Sequence, residues 1–98
     1  MDKIEKLVTD WHLETFPNAT NKAILDKAYE EIREFQAESI HGYDGMFNEA
    51  ADIAIVLIAL CSRNGKSLSD LISHKMEINK LRVFENEDSE GGKWRSKR

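Results

Sequence analysis

The stretch "NEAADIAIVLIALC", Asn48 to Cys61, is apolar at nearly every position from Ala50 onward. Wound into a helix, it carries apolar side chains around almost its whole circumference, the pattern of a helix buried on all sides. In a chain of 98 residues there is little other material to cover it. One small core, completed by a second subunit, is therefore the expected solution. Asp52 is the sole break in the run and must sit in or beside that core, with Glu49 one turn earlier on the same face. No Lys or Arg occurs between Asp44 and Ser62 to neutralise either carboxylate.

The rest of the sequence is also helical in period, with no strand alternation. Ile4, Leu7, Val8 and Trp11 predict an amphipathic helix ending near "TFPNAT", because Pro17 moves Phe16 away from helical dihedrals. Leu25, Ala28, Tyr29, Ile32, Phe35 and Gln36 predict a second helix capped by Thr20 or Asn21. "HGYDG" interrupts it. Asp44 is placed to cap the apolar helix, which Gly65 should stop, and Ser67 with Asp70 resembles a capping box opening "LSDLISHKMEINKL". The reading is all-α: a four-helix bundle-like domain over residues 1–84. Residues 85–98 join an acidic "ENEDSE" to a basic "KWRSKR" and have no apolar face, so this tail is expected to be mobile and outside the core.

Charge narrows the function classes. The net charge of −4 lies in residues 1–84, since the four acids and four bases of the tail cancel. An acidic domain does not suit a stable nucleic-acid partner. The charged N-terminus does not read as a signal peptide, and the apolar run falls short of the ~20 residues that span a bilayer. A cytoplasmic protein without a membrane partner is expected, with Cys61 as a small buried hydrophobe.

"KAYEEIREFQAE" on the second helix gathers Glu30, Glu31, Glu34 and Glu38. At about 100° per residue from Ile32, taken as the centre of the apolar stripe, Glu31, Glu34 and Glu38 fall along one edge. Taken alone, that edge reads as a solvated charged face. Facing Glu49 and Asp52, it would instead bring four carboxylates together with little cationic help beyond Lys27 and Arg33. One or two would then have to take up protons. Two resolutions stand: Asp52 pairs with Arg63, Lys75 or Arg82 from elsewhere in the fold, or the carboxylates hold a hard divalent cation. Oxygen-only ligation with water completing the shell suits Mg²⁺, which commonly bridges to substrate phosphates.

These residues carry a family resemblance. "EEIRE" followed by "EAAD" resembles the E-E-x-x-E and E-x-x-D signature of the MazG-like all-α nucleoside triphosphate pyrophosphohydrolases, a superfamily that includes dimeric dUTPases. "KMEINKLRVF" is similar to the K-x-x-x-N-x-x-R segment of short members, and "DWHLETFPNAT" to an N-terminal W-x-x-E-T-F-P of some phage-type and bacterial members. Arg33 departs from the pattern, standing where many members have Gly. The resemblance implies a MazG-type fold, with Glu31, Glu34, Glu49 and Asp52 as metal ligands and Glu30 and Glu38 nearby as candidates for a second ion or for orienting water. It further implies a tight homodimer or a tetramer.

The implied reaction is metal-dependent cleavage of a (d)NTP to (d)NMP and pyrophosphate, with Mg²⁺ as cofactor and Mn²⁺ as a substitute, in the manner of nucleotide-pool house-cleaning. It needs an activated water and no protein nucleophile. Glu34 or Glu38 is the candidate general base. Lys75, Asn79 and Arg82 share a stripe of the fourth helix and are candidates to meet the triphosphate, unless they simply complement that helix's dipole. Trp11 and Phe16 offer a face for the base, or belong to the core. The alternative from another class is a non-catalytic helical dimerisation module in which the same carboxylates are interface or solubility charges.

Overall fold

A computed structural model of the chain describes residues 2–41 and 44–82, and all regular structure among them is helical. Helix α1 spans Lys3–Thr15, α2 Asn21–Glu38, α3 Asp44–Ser62 and α4 Leu68–Leu81, with a short 3₁₀ turn at Ser39–His41 after α2. The proposed tail, residues 85–98, lies outside the described residues.

Local chemistry sets the ends. Asp2 caps α1 by accepting from the Glu5 amide at 2.8 Å. Thr20 caps α2 by accepting from the Ala23 amide at 3.1 Å. Both leave one fewer orphaned amide in the first turn. Beyond α3, the Lys66 amide donates to the Cys61 carbonyl at 2.9 Å and the Gly65 amide to Ser62 at 3.1 Å. This is the Schellman pattern, and its left-handed residue is Gly65 at φ 73°, where a Cβ would be strained. Ser67 then caps α4 through the Asp70 amide at 3.3 Å.

The most extensive packing joins α2 to α3, and α1 lies against α3 on its other flank. Val8, Ile24, Ala28 and Ala59 form the small buried core. Ala59, on α3, is fully buried.

Two contacts bind the ends of the chain to this frame. The buried Glu5 carboxylate on α1 accepts from Ser67 Oγ at 3.0 Å, the Leu68 amide at 3.1 Å and the Ser69 amide at 3.0 Å. It thereby serves as a second cap for α4, and these bonds, led by Ser69, hold its carboxyl below the usual range despite burial. Arg63, just past α3, donates to the carbonyls of Pro17 at 3.1 Å and Ala19 at 3.2 Å, pinning the α1–α2 loop.

The inward faces differ from those the apolar periodicity suggested. On α1 the buried residues are Glu5, Val8 and His12, whereas Ile4, Leu7 and Trp11 are exposed. On α2 they are Ile24, Ala28 and Glu31, whereas Leu25, Tyr29 and Ile32 are exposed. Ile32 is therefore not the centre of the face that packs on α3. Both helices are apolar over more than one stripe, and the stripe carrying the polar groups is the one turned inward. Among the described residues helix α3 buries only Ala59, its other apolar side chains are half-buried or exposed, and Asp52, expected in or beside the core, is exposed, because the other three helices do not cover α3 on all sides. Helix α4 buries no residue at all, and Cys61 is half-buried. By length and composition α3 could also cross a membrane, although its two central carboxylates, Glu49 and Asp52, are grouped with Glu31 of α2.

Candidate metal centre and cavity

The α2–α3 packing brings Glu31, Glu49 and Asp52 together. One carboxylate oxygen from each lies within 4.8 Å of the others. Glu49 and Asp52 are one turn apart on α3 and so project from the same side. Glu31 meets them from α2 and is only 6% exposed, which removes the reading of this position as a solvated charged face.

The cluster is short of positive charge. Lys27 Nζ reaches Glu31 Oε1 at 3.0 Å and Glu30 Oε2 at 3.5 Å. Among the described residues no basic side chain forms an ion pair with Asp52 or Glu49. Arg63, one of the partners considered for Asp52, is instead engaged with the α1–α2 loop. The consequence is an uneven distribution of protons. Lys27 above all, helped by hydrogen bonding from Glu49 and Glu34, keeps the Glu31 carboxyl below its ordinary range. Glu49 is pushed up to about 7, by burial first, then by its hydrogen bond to Glu31 and the charges of Glu34, Glu31 and Asp52. Glu49 thus holds a proton more readily than an ordinary carboxyl, beside a Glu31 that stays ionised.

Two oxygens remain orphaned: Glu31 Oε2 and Glu49 Oε2 are buried without a hydrogen-bond partner. Buried acceptors of this kind are costly and call for a donor or a cation. A divalent cation fits the donor set, which is all oxygen, anionic and drawn from two rigid helices. Glu31, Glu49 and Asp52 are the residues that would hold it.

The other expected carboxylates surround this centre. Glu34 is exposed yet near enough to influence both Glu31 and Glu49. Glu38 is half-buried at the far end of α2, against Gly45, where an added Cβ would stand 2.6 Å from Glu38 Oε2. Gly45 therefore leaves room for that carboxylate. Glu30 is exposed and bound to Lys27.

A cavity of about 480 Å³ opens beside the cluster between α1, α2 and α3. Glu31, Asp52 and Lys27 lie along its polar side. Trp11, His12 and Phe16 contribute aromatic rings, and Ala23, Ile24, Ile55 and Val56 are among its apolar lining. Trp11 and Phe16 meet edge to face, with centroids 5.7 Å apart. The expected phosphate-binding stripe lies elsewhere. Lys75 is exposed on α4 and Arg82 just past its end, Asn79 turns its amide toward Met76 Sδ at 3.9 Å, and none of the three lines the cavity.

Sequence reasoning did not identify His12 or Glu5 as buried residues. The available signal was their spacing with Val8, at i, i+3 and i+7, which places all three on one face of α1.

No family model matches the chain, and no solved structure matches it significantly. A dATP/dGTP diphosphohydrolase of Salmonella phage PMBT28 is 30% identical over 82 residues, covering 84% of this chain and 27% of that protein. The chain thus spans about a quarter of that relative's length.

Proposed function

We propose that the chain is a metal-dependent nucleoside triphosphate pyrophosphohydrolase of the MazG-like type. It would act on purine deoxynucleoside triphosphates such as those named for its phage relative. The observation that carries this reading is the convergence of Glu31, Glu49 and Asp52, with two orphaned buried oxygens, beside a cavity that Glu31 and Asp52 line together with Trp11, His12 and Phe16. A nucleotide has the matching division: polyanion at one end, flat heteroaromatic ring at the other.

When bound, Mg²⁺ or Mn²⁺ supplies charge neutralisation for the phosphates and a lowered pKa for water. The residues do the rest. Glu31, Glu49 and Asp52 would hold the ion, with Glu49 in its carboxylate form. Lys27 keeps Glu31 ionised and presents an ammonium on the cavity wall to an anionic substrate. Glu34, exposed and adjacent, is positioned to accept a proton from an attacking water, whereas Glu38 is better placed to orient the start of α3 beside Gly45. Trp11 and Phe16 provide apolar ring surface for the base.

Exposed apolar stripes on α1, α2 and α4, together with the uncovered surface of α3, support assembly into a homodimer or tetramer. In such an assembly Lys75, Asn79 and Arg82 can face a neighbouring subunit's substrate. The same stripes are the observation favouring the rival reading, a dimerisation module without catalysis. The deciding experiment is pyrophosphate release from the four dNTPs and four NTPs with Mg²⁺ or Mn²⁺, using Glu31→Gln and Asp52→Asn as controls. Turnover that needs the metal and vanishes in both variants supports the hydrolase. Absence of turnover, with melting unaffected by either metal, leaves the module.

A further inference from the structure

The aromatic side of the cavity contains a polar group that phosphate chemistry does not use. His12 is 8% exposed and lines the cavity with Trp11 and Phe16. Its ring centroid lies 6.1 Å from that of Trp11 and 5.1 Å from that of Phe16. Its Nδ1 stands 3.3 Å from Arg63 Nη1. A guanidinium has only donors and stays protonated, so Nδ1 must accept. A neutral imidazole with an accepting Nδ1 carries its proton on Nε2. Arg63 is itself held by the Pro17 and Ala19 carbonyls, so the tautomer is fixed by a rigid neighbour. Burial, and secondarily the positive charge of Arg63, hold the His12 pKa below its usual value, which favours the neutral ring. Among the described residues the Nε2–H has no hydrogen-bond partner, because the contact with Arg63 is the only side-chain hydrogen bond His12 makes. A donor of fixed position on an otherwise apolar aromatic wall selects for an acceptor.

We propose that His12 is a specificity-determining residue whose Nε2–H donates to a ring nitrogen or carbonyl on the edge of a base seated against Trp11 and Phe16, with Arg63 as the positioning residue that fixes its tautomer. The inference rests on the nucleotide reading above and assigns the contact that distinguishes one base from another. Bases differ in where their edges carry acceptors and donors. A base that turns an amino group toward Nε2–H leaves two donors opposed, and that mismatch is the source of discrimination.

The test has two arms. In the first, kcat/KM is measured for the four dNTPs with the wild type, His12→Phe and His12→Gln, after melting curves establish that each variant is folded. His12→Phe retains a ring without a donor, and it should narrow the spread of kcat/KM among the bases by ~10-fold or more, the scale of one lost hydrogen bond. His12→Gln, with an amide nitrogen near the place of Nε2, should restore most of that spread. A His12→Phe variant that slows all four substrates equally, with their ratios intact, overturns the proposal. The second arm needs no turnover. Long-range ¹⁵N–¹H correlation spectra of the full-length protein should show His12 as the Nε2–H tautomer in the wild type and as a mixture in Arg63→Met. Adding dAMP, dGMP, dCMP and dTMP in turn should move the Nε2–H resonance for some bases, and 2-deoxyribose 5-phosphate should not. An Nδ1–H tautomer, or equal response to all five, refutes the assignment. If no dNTP is hydrolysed while this arm succeeds, the hydrolase reading fails and the base contact stands.

Discussion

The raised pKa of Glu49 makes metal binding measurable through pH. Glu49 has a pKa of about 7 in the folded, metal-free protein. A divalent cation requires the carboxylate, so binding must expel the proton, and apparent affinity falls by the factor 1 + 10^(7 − pH) as the solution is acidified. That factor is about 1.1 at pH 8, about 2 at pH 7 and about 11 at pH 6, so the dissociation constant should rise ~10-fold between pH 8 and pH 6. The assay is a Mn²⁺ titration followed by the electron paramagnetic resonance of the free hexaaqua ion, at constant ionic strength. Glu49→Gln is the control: it loses one ligand, so binding weakens at pH 8, and it loses the proton, so the remaining affinity should be flat from pH 6 to pH 8. Wild-type affinity that changes less than twofold across that range refutes the raised Glu49 pKa. A Glu49→Gln variant that retains the tenfold dependence places the titrating group elsewhere.

Four further outcomes follow from the same geometry. Metal-free stability should carry the opposite linkage: Glu49 binds more protons folded than unfolded between 4.5 and about 7, so its stabilising contribution is full below that window and is lost as pH rises through 7. The wild-type melting temperature should therefore fall relative to that of Glu49→Gln across the window. Glu34→Gln or Asp52→Asn should abolish pyrophosphate release while leaving the far-ultraviolet circular dichroism of the helices unchanged; undiminished turnover in both would rule out the assigned site. Ile24→Ala, at a residue 3% exposed, should lower the unfolding free energy by ~2–4 kcal/mol in urea titrations, the range for a large-to-small change in a core. Light scattering should give a particle of at least twice the 11.3 kDa chain mass; a monomer at micromolar concentration would contradict the role assigned to the exposed apolar stripes.

Four helices, the Thr20 and Ser67 caps and the Gly65 stop were all legible in the sequence, because each depends on residues within one turn of one another. The meeting of Glu31 with Glu49 and Asp52 was legible too, for a different reason, whereas Glu34, expected as a fourth member, is exposed and outside the group. Glu49 and Asp52 stood in a segment with no cation of its own, and that imbalance pointed toward Glu31. Helix rotation was not legible. Periodicity locates apolar stripes, but Leu25, Tyr29 and Ile32 form a stripe as convincing as Ile24, Ala28 and Phe35, and only the packing on α3 chooses between them. The partners of Arg63 and Glu5 were equally hidden, since each spans more than forty positions and leaves no local trace. Asp52 could therefore be assigned an ion pair with Arg63 on paper, an assignment that the α1–α2 loop contacts displace.

The Glu5 carboxylate reaches its partners on α4 across 62 to 64 residues of sequence. During synthesis, α1 through α3 can assemble the carboxylate cluster before α4 exists, and Glu5 must wait for almost the whole described chain before its acceptor atoms are filled. Helix α4 has no buried side chain of its own to hold it in place. It is thus the last unit to dock and the first to open in native-state hydrogen exchange, with Leu68 and Ser69 amides reporting the event. Because the cluster belongs to α2 and α3, the arm can detach and return without dismantling the centre.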